Sequence, residues 1–293
     1  MSKCVNEKMI HGLGTALITP FQADGSVDYE ALARLLDTQL TGYVDYIVVL
    51  GTTGEAATMT DKERAEVRSF VRSYVNGRLP LVLGLGGNCT AAVCEALRNT
   101  DLSGFCAVLS VCPYYNKPNQ EGLYQHFCAI AEISPIPVIL YNVPGRTGVN
   151  LLPETVMRIY NARPDKILGI KEASGNVEQI KDLICRKSKV ESQKQFLVIS
   201  GDDGIACELM EAGAAGLISV ASNAFPEDFW HIVHDKDAAL QAKYAEMIKL
   251  LFAEGNPVGI KAVLAQKGLI TNSLRLPLVP ASQELQEKIL RLL

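Results

Sequence analysis

In the run Ile167-Leu168-Gly169-Ile170-Lys171-Glu172-Ala173-Ser174-Gly175, a lysine closes an aliphatic stretch just before small and polar residues. Burying an ammonium is costly unless it is paired or loses its proton. A desolvated lysine that does lose it is a neutral amine, and so a nucleophile. A second reading stands beside this one: a strand-end lysine that reaches out to solvent or pairs with Glu172.

Three other segments carry residues able to assist such an amine. Gly51-Thr52-Thr53-Gly54-Glu55 offers two hydroxyls and turn N–H groups suited to a carboxylate, though the same residues also make a bare turn. Tyr115 and Tyr141 each follow an apolar run, where a phenol can carry a proton or simply pack. Arg146, in a Pro144-Gly145-Arg146-Thr147-Gly148 loop, can grip a carboxylate with two hydrogen bonds, or serve as surface charge. Asp202-Asp203 on a glycine-flanked turn suggests magnesium, but carboxylates there more often cap the following helix. No metal is therefore expected.

These segments share a position. Eight short aliphatic or β-branched runs recur along the chain, at 16–19, 46–50, 81–85, 106–111, 137–141, 167–171, 196–200 and 216–220. Each has the length of a strand. Helical patterns lie between them, as in 60–76, where Thr60 and Glu63 form a capping box and Val67, Phe70, Val71 and Tyr74 make one stripe. Leu123, Phe127, Ile130 and Ala131 repeat the pattern after Pro118.

Near-continuous apolar strands alternating with helices imply a parallel sheet buried on both faces. Eight in succession imply a (β/α)8 TIM barrel, over 1–236, followed by a C-terminal helical extension, 237–293, broken at Gly255-Asn256-Pro257 and Leu276-Pro277. A doubly wound open sheet is the competing architecture. It is disfavoured by the regular units and by Gly84-Leu85-Gly86-Gly87-Asn88, which is no dinucleotide fingerprint. Barrel chemistry sits at the C-terminal ends of the strands, where all the segments above fall.

Composition excludes several classes. The net charge is −4 with both signs dispersed, so no basic face invites nucleic acid. No apolar run spans a membrane and the N-terminus lacks a signal-peptide core, so a cytoplasmic protein is expected. The eight cysteines, from Cys4 to Cys207, contain no C-x-x-C pair, and His231 with His234 lacks a third metal ligand nearby.

Taken in order, Gly51-Thr52-Thr53-Gly54-Glu55, Pro113-Tyr114-Tyr115-Asn116, Tyr141 to Gly148, Gly169-Ile170-Lys171-Glu172-Ala173 and Ser200-Gly201-Asp202-Asp203 resemble the dihydrodipicolinate synthase family, within the N-acetylneuraminate lyase superfamily. The resemblance runs through nearly the whole chain. It implies that Lys171 forms a Schiff base with pyruvate, whose enamine attacks L-aspartate 4-semialdehyde in lysine and diaminopimelate biosynthesis, without metal or organic cofactor. It also implies a proton relay of Thr53, Tyr115 and Tyr141, with Thr52 and Thr53 beside the pyruvate carboxylate.

Gly201 and Ile218 match positions that line the pyruvate pocket through their backbone, and Arg146 matches the residue that holds the second carboxylate. Tyr115 is expected to reach a neighbouring subunit's site, in a homotetramer built from dimers. Sialic acid lyases and 2-keto-3-deoxy sugar acid aldolases resemble the same lysine and tyrosine framework; Arg146 and Thr52 separate this chain from them. Lysine-inhibited members carry a different patch where this chain has Ala56, Asp61, Arg64 and Ala92, although Asn88 and Tyr114 are kept. Weak or absent inhibition by lysine is the expectation.

Overall fold

The structure, a computed structural model, describes residues 10–187 and 196–293. Cys4 and the rest of the N-terminal segment considered above lie outside the described residues. Eight strands close into a barrel in chain order: β1 (Gly12–Ala16), β2 (Tyr46–Val49), β3 (Leu81–Gly84), β4 (Ala107–Val111), β5 (Val138–Asn142), β6 (Ile167–Glu172), β7 (Leu197–Ser200) and β8 (Gly216–Ser219). This is the (β/α)8 architecture read from the eight runs, and β2, β5 and β6 are buried at every position, as strands covered on both faces must be.

Two compact units divide the described chain. In residues 80–218, parallel pairing runs from β3 through β8, and the helices are α1 to α12 in chain order, of which α3 (Thr90–Asn99), α4 (Gln120–Ile133), α5 (Pro144–Thr147), α6 (Pro153–Ala162), α7 (Val177–Lys187) and α8 (Ala206–Glu211) belong here. Leu123, Phe127, Ile130 and Ala131 are all buried on α4, as their spacing requires.

The other unit, Gly12–Leu79 with Ser219–Leu293, holds β1 and β2, α1 (Tyr29–Thr41), α2 (Asp61–Val75), α9 (Pro226–His234) and three extension helices, α10 (Ala238–Phe252), α11 (Val258–Gln266) and α12 (Gln283–Leu290). The Thr60–Glu63 capping box starts α2, and Asn76 ends it in the left-handed region.

Three local readings need correcting. The first strand is Gly12–Ala16, not 16–19. Its Gly-Leu-Gly-Thr sequence has poor strand propensity, but a Cβ at Gly14 would lie 2.2 Å from the Tyr46 ring, so tertiary packing demands glycine there. The buried stripe of α2 is Val67, Val71 and Val75. Phe70 and Tyr74 flank it, stacked with ring centroids 5.8 Å apart. Finally, the segment 144–147, read as loop, makes one helical turn with proline at its first position and Gly148 at φ 71° closing it.

Candidate active site

Lys171 and Tyr141 are partners in the β5–β6 register. Facing side chains of paired strands meet, and the lysine Nζ stands 4.7 Å from the centre of the tyrosine ring. Both are buried, Lys171 at 6% and Tyr141 at 7% exposure, so the lysine does not reach out to solvent. Nor is its partner Glu172. Strand alternation turns Glu172 to the opposite face, where it accepts hydrogen bonds from Asn142 Nδ2 at 2.9 Å, the Ser174 N–H at 2.8 Å and Gln179 Nε2 at 3.2 Å. Burial nonetheless raises the Glu172 carboxyl above the usual carboxylate range.

The space for the lysine stem comes from the residue just after β7. A Cβ at Gly201 would lie 2.6 Å from Ala173 Cβ and 2.8 Å from Lys171 Cε, so any side chain there collides with the amine's own chain. Ile218 lies on β8 at 1% exposure. Cys112, at the end of β4, is no rival nucleophile: burial, then the neighbouring Glu172 charge, pushes its thiol well above the ordinary range. Asp202 caps the turn after β7 by accepting the Gly204 N–H at 2.8 Å, the role expected of it.

Arg146 projects from the exposed α5 turn. Both feet of this turn are tied to Glu172: Asn142 Nδ2 bonds Asn150 Oδ1 at 2.8 Å, Asn142 Oδ1 accepts the Leu151 N–H at 2.9 Å, and Gln179 bridges Asn150 to the carboxylate. Tyr115, after β4, is 89% exposed and holds φ at 73°, a left-handed backbone that aromatic residues seldom adopt.

In the second unit, Thr52–Gly54 forms a short 3-10 turn at the end of β2. Thr52 is exposed and Thr53 is 3% exposed. Asn256 Nδ2 donates to Thr53 Oγ1 at 2.9 Å. Glu55, also in the left-handed region, forms a fully buried ion pair with Lys261 of α11. Arg275 donates its N–H to the same carboxylate at 3.2 Å and its guanidinium to Glu63.

The strand-end motifs thus stand where a barrel enzyme keeps its chemistry, and comparison with known proteins places them in a lineage. The model of the dihydrodipicolinate synthetase family matches residues 9–293. The chain belongs to that family. A 4-hydroxy-tetrahydrodipicolinate synthase of Parabacteroides distasonis is 50% identical over 288 residues, covering 96% of this chain and 95% of that one. Among solved structures, the dihydrodipicolinate synthase of Thermotoga maritima superposes with TM-score 0.92 at 40% identity, covering 97% of each chain. The chloride-inhibited family member of Acinetobacter baumannii, complexed with pyruvate, gives 0.91 at 39% identity, again covering 97% of each.

Within this member of the dihydrodipicolinate synthetase family, several residues that shape the site escaped the sequence reading. Asn142 lay inside a quoted motif but carried no assigned role, and Glu172 was read only as a partner for Lys171. Asn256 showed only as part of a helix break, and Lys261 is the one charge in the apolar stretch Val258–Gln266, a local signal that a buried pair was needed. His231 and His234, weighed as a metal pair, are engaged by separate carboxylates, Asp235 at 2.6 Å and Asp45 at 2.7 Å. Among the described residues no helix is long and apolar enough to cross a membrane.

Proposed function

We propose that the chain condenses pyruvate with L-aspartate 4-semialdehyde to give 4-hydroxy-tetrahydrodipicolinate through an imine on Lys171. The observation that carries this reading is the buried Lys171–Tyr141 pair beside Gly201, in a family whose near full-length relatives bear the name of that synthase. The Lys171 amine adds to the pyruvate ketone, and loss of water leaves a protonated imine. That cation is an electron sink, so the methyl group can lose a proton and become an enamine. The enamine carbon then attacks the aldehyde, and the semialdehyde's amine closes the ring onto the imine carbon and releases the lysine.

The protons need carriers. Tyr141, whose ring centre lies 4.7 Å from the lysine Nζ, suits that task, and the reading gives Thr53 and Tyr115 a share in the same relay. Thr52 and Thr53 hold the pyruvate carboxylate, while Gly201 and Ile218 line the pyruvate pocket through their backbone. What supports this grouping is that each residue ends, or follows, a parallel barrel strand. Arg146 takes the carboxylate of the semialdehyde, which a sugar-acid aldolase has no call to bind at that place. The exposure of Tyr115 supports a homotetramer of dimers in which it serves a neighbouring subunit. We also propose 1–236 as the catalytic domain and 237–293 as its packed extension, the break falling between α9 and α10.

Borohydride reduction in the presence of pyruvate tests the chemistry. A reduced pyruvate adduct is expected on Lys171, and none in Lys171→Ala, which loses turnover. An unmodified Lys171 in active protein would sink the proposal. Turnover with the semialdehyde, compared with sialic acid and 2-keto-3-deoxygluconate, tests the substrate.

A further inference from the structure

We propose that Asn256 is a positioning residue that fixes the Thr53 hydroxyl as a hydrogen-bond donor toward the pyruvate carboxylate. This rests on the assignment of Thr53 to that carboxylate. A threonine hydroxyl normally rotates to suit its surroundings and can donate or accept. Here it has less choice. Asn256 Nδ2 carries only donors, and it lies 2.9 Å from Thr53 Oγ1, so the oxygen accepts and its own proton must point away from Asn256. Both residues are buried, at 7% and 3% exposure, so water offers the hydroxyl little alternative. A carboxylate is acceptor-only, and a hydroxyl whose proton is already directed outward meets it without reorganisation.

The turn that carries Thr53 is held in place by the same segment of chain. Asn256 precedes α11, and Lys261 within α11 pairs with Glu55, two residues beyond Thr53. Lys261 Nζ also donates to Ser273 O at 3.0 Å, and Arg275 reaches Glu55 and the Thr58 carbonyl at 3.2 Å each. The C-terminal extension therefore grips the threonine turn at the Thr53 hydroxyl and again just beyond it, at Glu55 and Thr58. Lys261 and Arg275 fix where the turn lies; Asn256 fixes which way the hydroxyl proton points.

The test compares Thr53→Val, Asn256→Asp, Asn256→Ala and the Thr53→Val/Asn256→Asp double variant in the full chain. The readouts are the pyruvate concentration that half-saturates borohydride trapping, the two KM values and the thermal midpoint. Asn256→Asp keeps the shape but turns the donor into an acceptor that captures the threonine proton. It is expected to raise the half-saturating pyruvate concentration about tenfold or more, the scale of one hydrogen bond to a charged group. Asn256→Ala moves it less, in the same direction, and carries the test alone should the aspartate variant fail to fold.

The semialdehyde KM stays near its original value in both, and the double variant is no worse than Thr53→Val. Unchanged pyruvate saturation in both Asn256 variants, with Thr53→Val impaired, overturns the positioning role. Equal impairment with both substrates does so too, since that marks general loosening. Unimpaired Thr53→Val instead overturns the underlying assignment of Thr53.

Discussion

Gly201 illustrates how little room the Lys171 side chain has. A single methyl group there would press on Ala173 Cβ, which cannot swing away, and on the stem of Lys171, which can. The contact with the stem is relieved by displacing the lysine, whereas the contact with Ala173 requires a small backbone shift. Gly201→Ala is expected to fold with a loss of about 1–3 kcal/mol, yet to slow imine trapping at least tenfold; trapping at the original rate would show that the lysine has slack. Arg146 is assigned by the proposed function to the other substrate. Arg146→Ala should raise the semialdehyde KM about 10- to 100-fold, the loss of a bidentate carboxylate grip, while pyruvate trapping persists. Equal loss of both steps would contradict its role. Glu172 belongs at this scale as well, as the buried carboxylate to which both ends of the Arg146 turn are moored.

Among the elements, α11 stands out because an apolar helix carries one lysine into a site with no exposure. Burial lowers that lysine to about 8, against the pull of Glu55. A buried pair of this kind adds little net stability but is costly to break, because the surviving charge has no partner. Lys261→Met is expected to destabilise the protein by about 3–5 kcal/mol in urea titration, and Lys261→Met/Glu55→Gln to recover a substantial part. A double variant as unstable as the single one would mean that lost packing around Phe21, whose ring centre lies 4.2 Å from the lysine Nζ, dominates instead. The α2 capping box is the opposite case. Its two residues are three apart and its hydrogen bonds are local, so Thr60 and Glu63 announce it without help from the rest of the fold.

For the molecule as a whole, Tyr115 bears on assembly. A large aromatic side chain 89% exposed on a left-handed backbone is a costly arrangement to keep without use. If it completes a neighbouring subunit's site, two inactive variants should complement each other. In mixed dimers of Lys171→Ala and Tyr115→Phe, one of the two sites has both native residues, so mixing under conditions that exchange subunits should restore a measurable part of the activity. No recovery despite demonstrated exchange would place Tyr115 outside the neighbouring site.

The barrel was legible because its signals are local: eight apolar runs, each followed by polar or glycine-rich turns, state the strand count, the connection type and the end at which chemistry collects. Lys171, Tyr141 and Arg146 could be proposed for the same reason, since the chemistry proposed for them is a property of residue type and position along a strand. The first strand was misplaced where that logic fails, as Gly14 answers to the Tyr46 ring rather than to propensity. Only the folded chain decided that Lys171 faces Tyr141 while Glu172 turns away, because register and strand alternation are relations between segments. Only the folded chain brought Asn256 to Thr53 across 203 residues, and Lys261 to Glu55. Such contacts leave no period in the sequence; they arise when packing closes the chain on itself, and here they set the turn that holds the threonine.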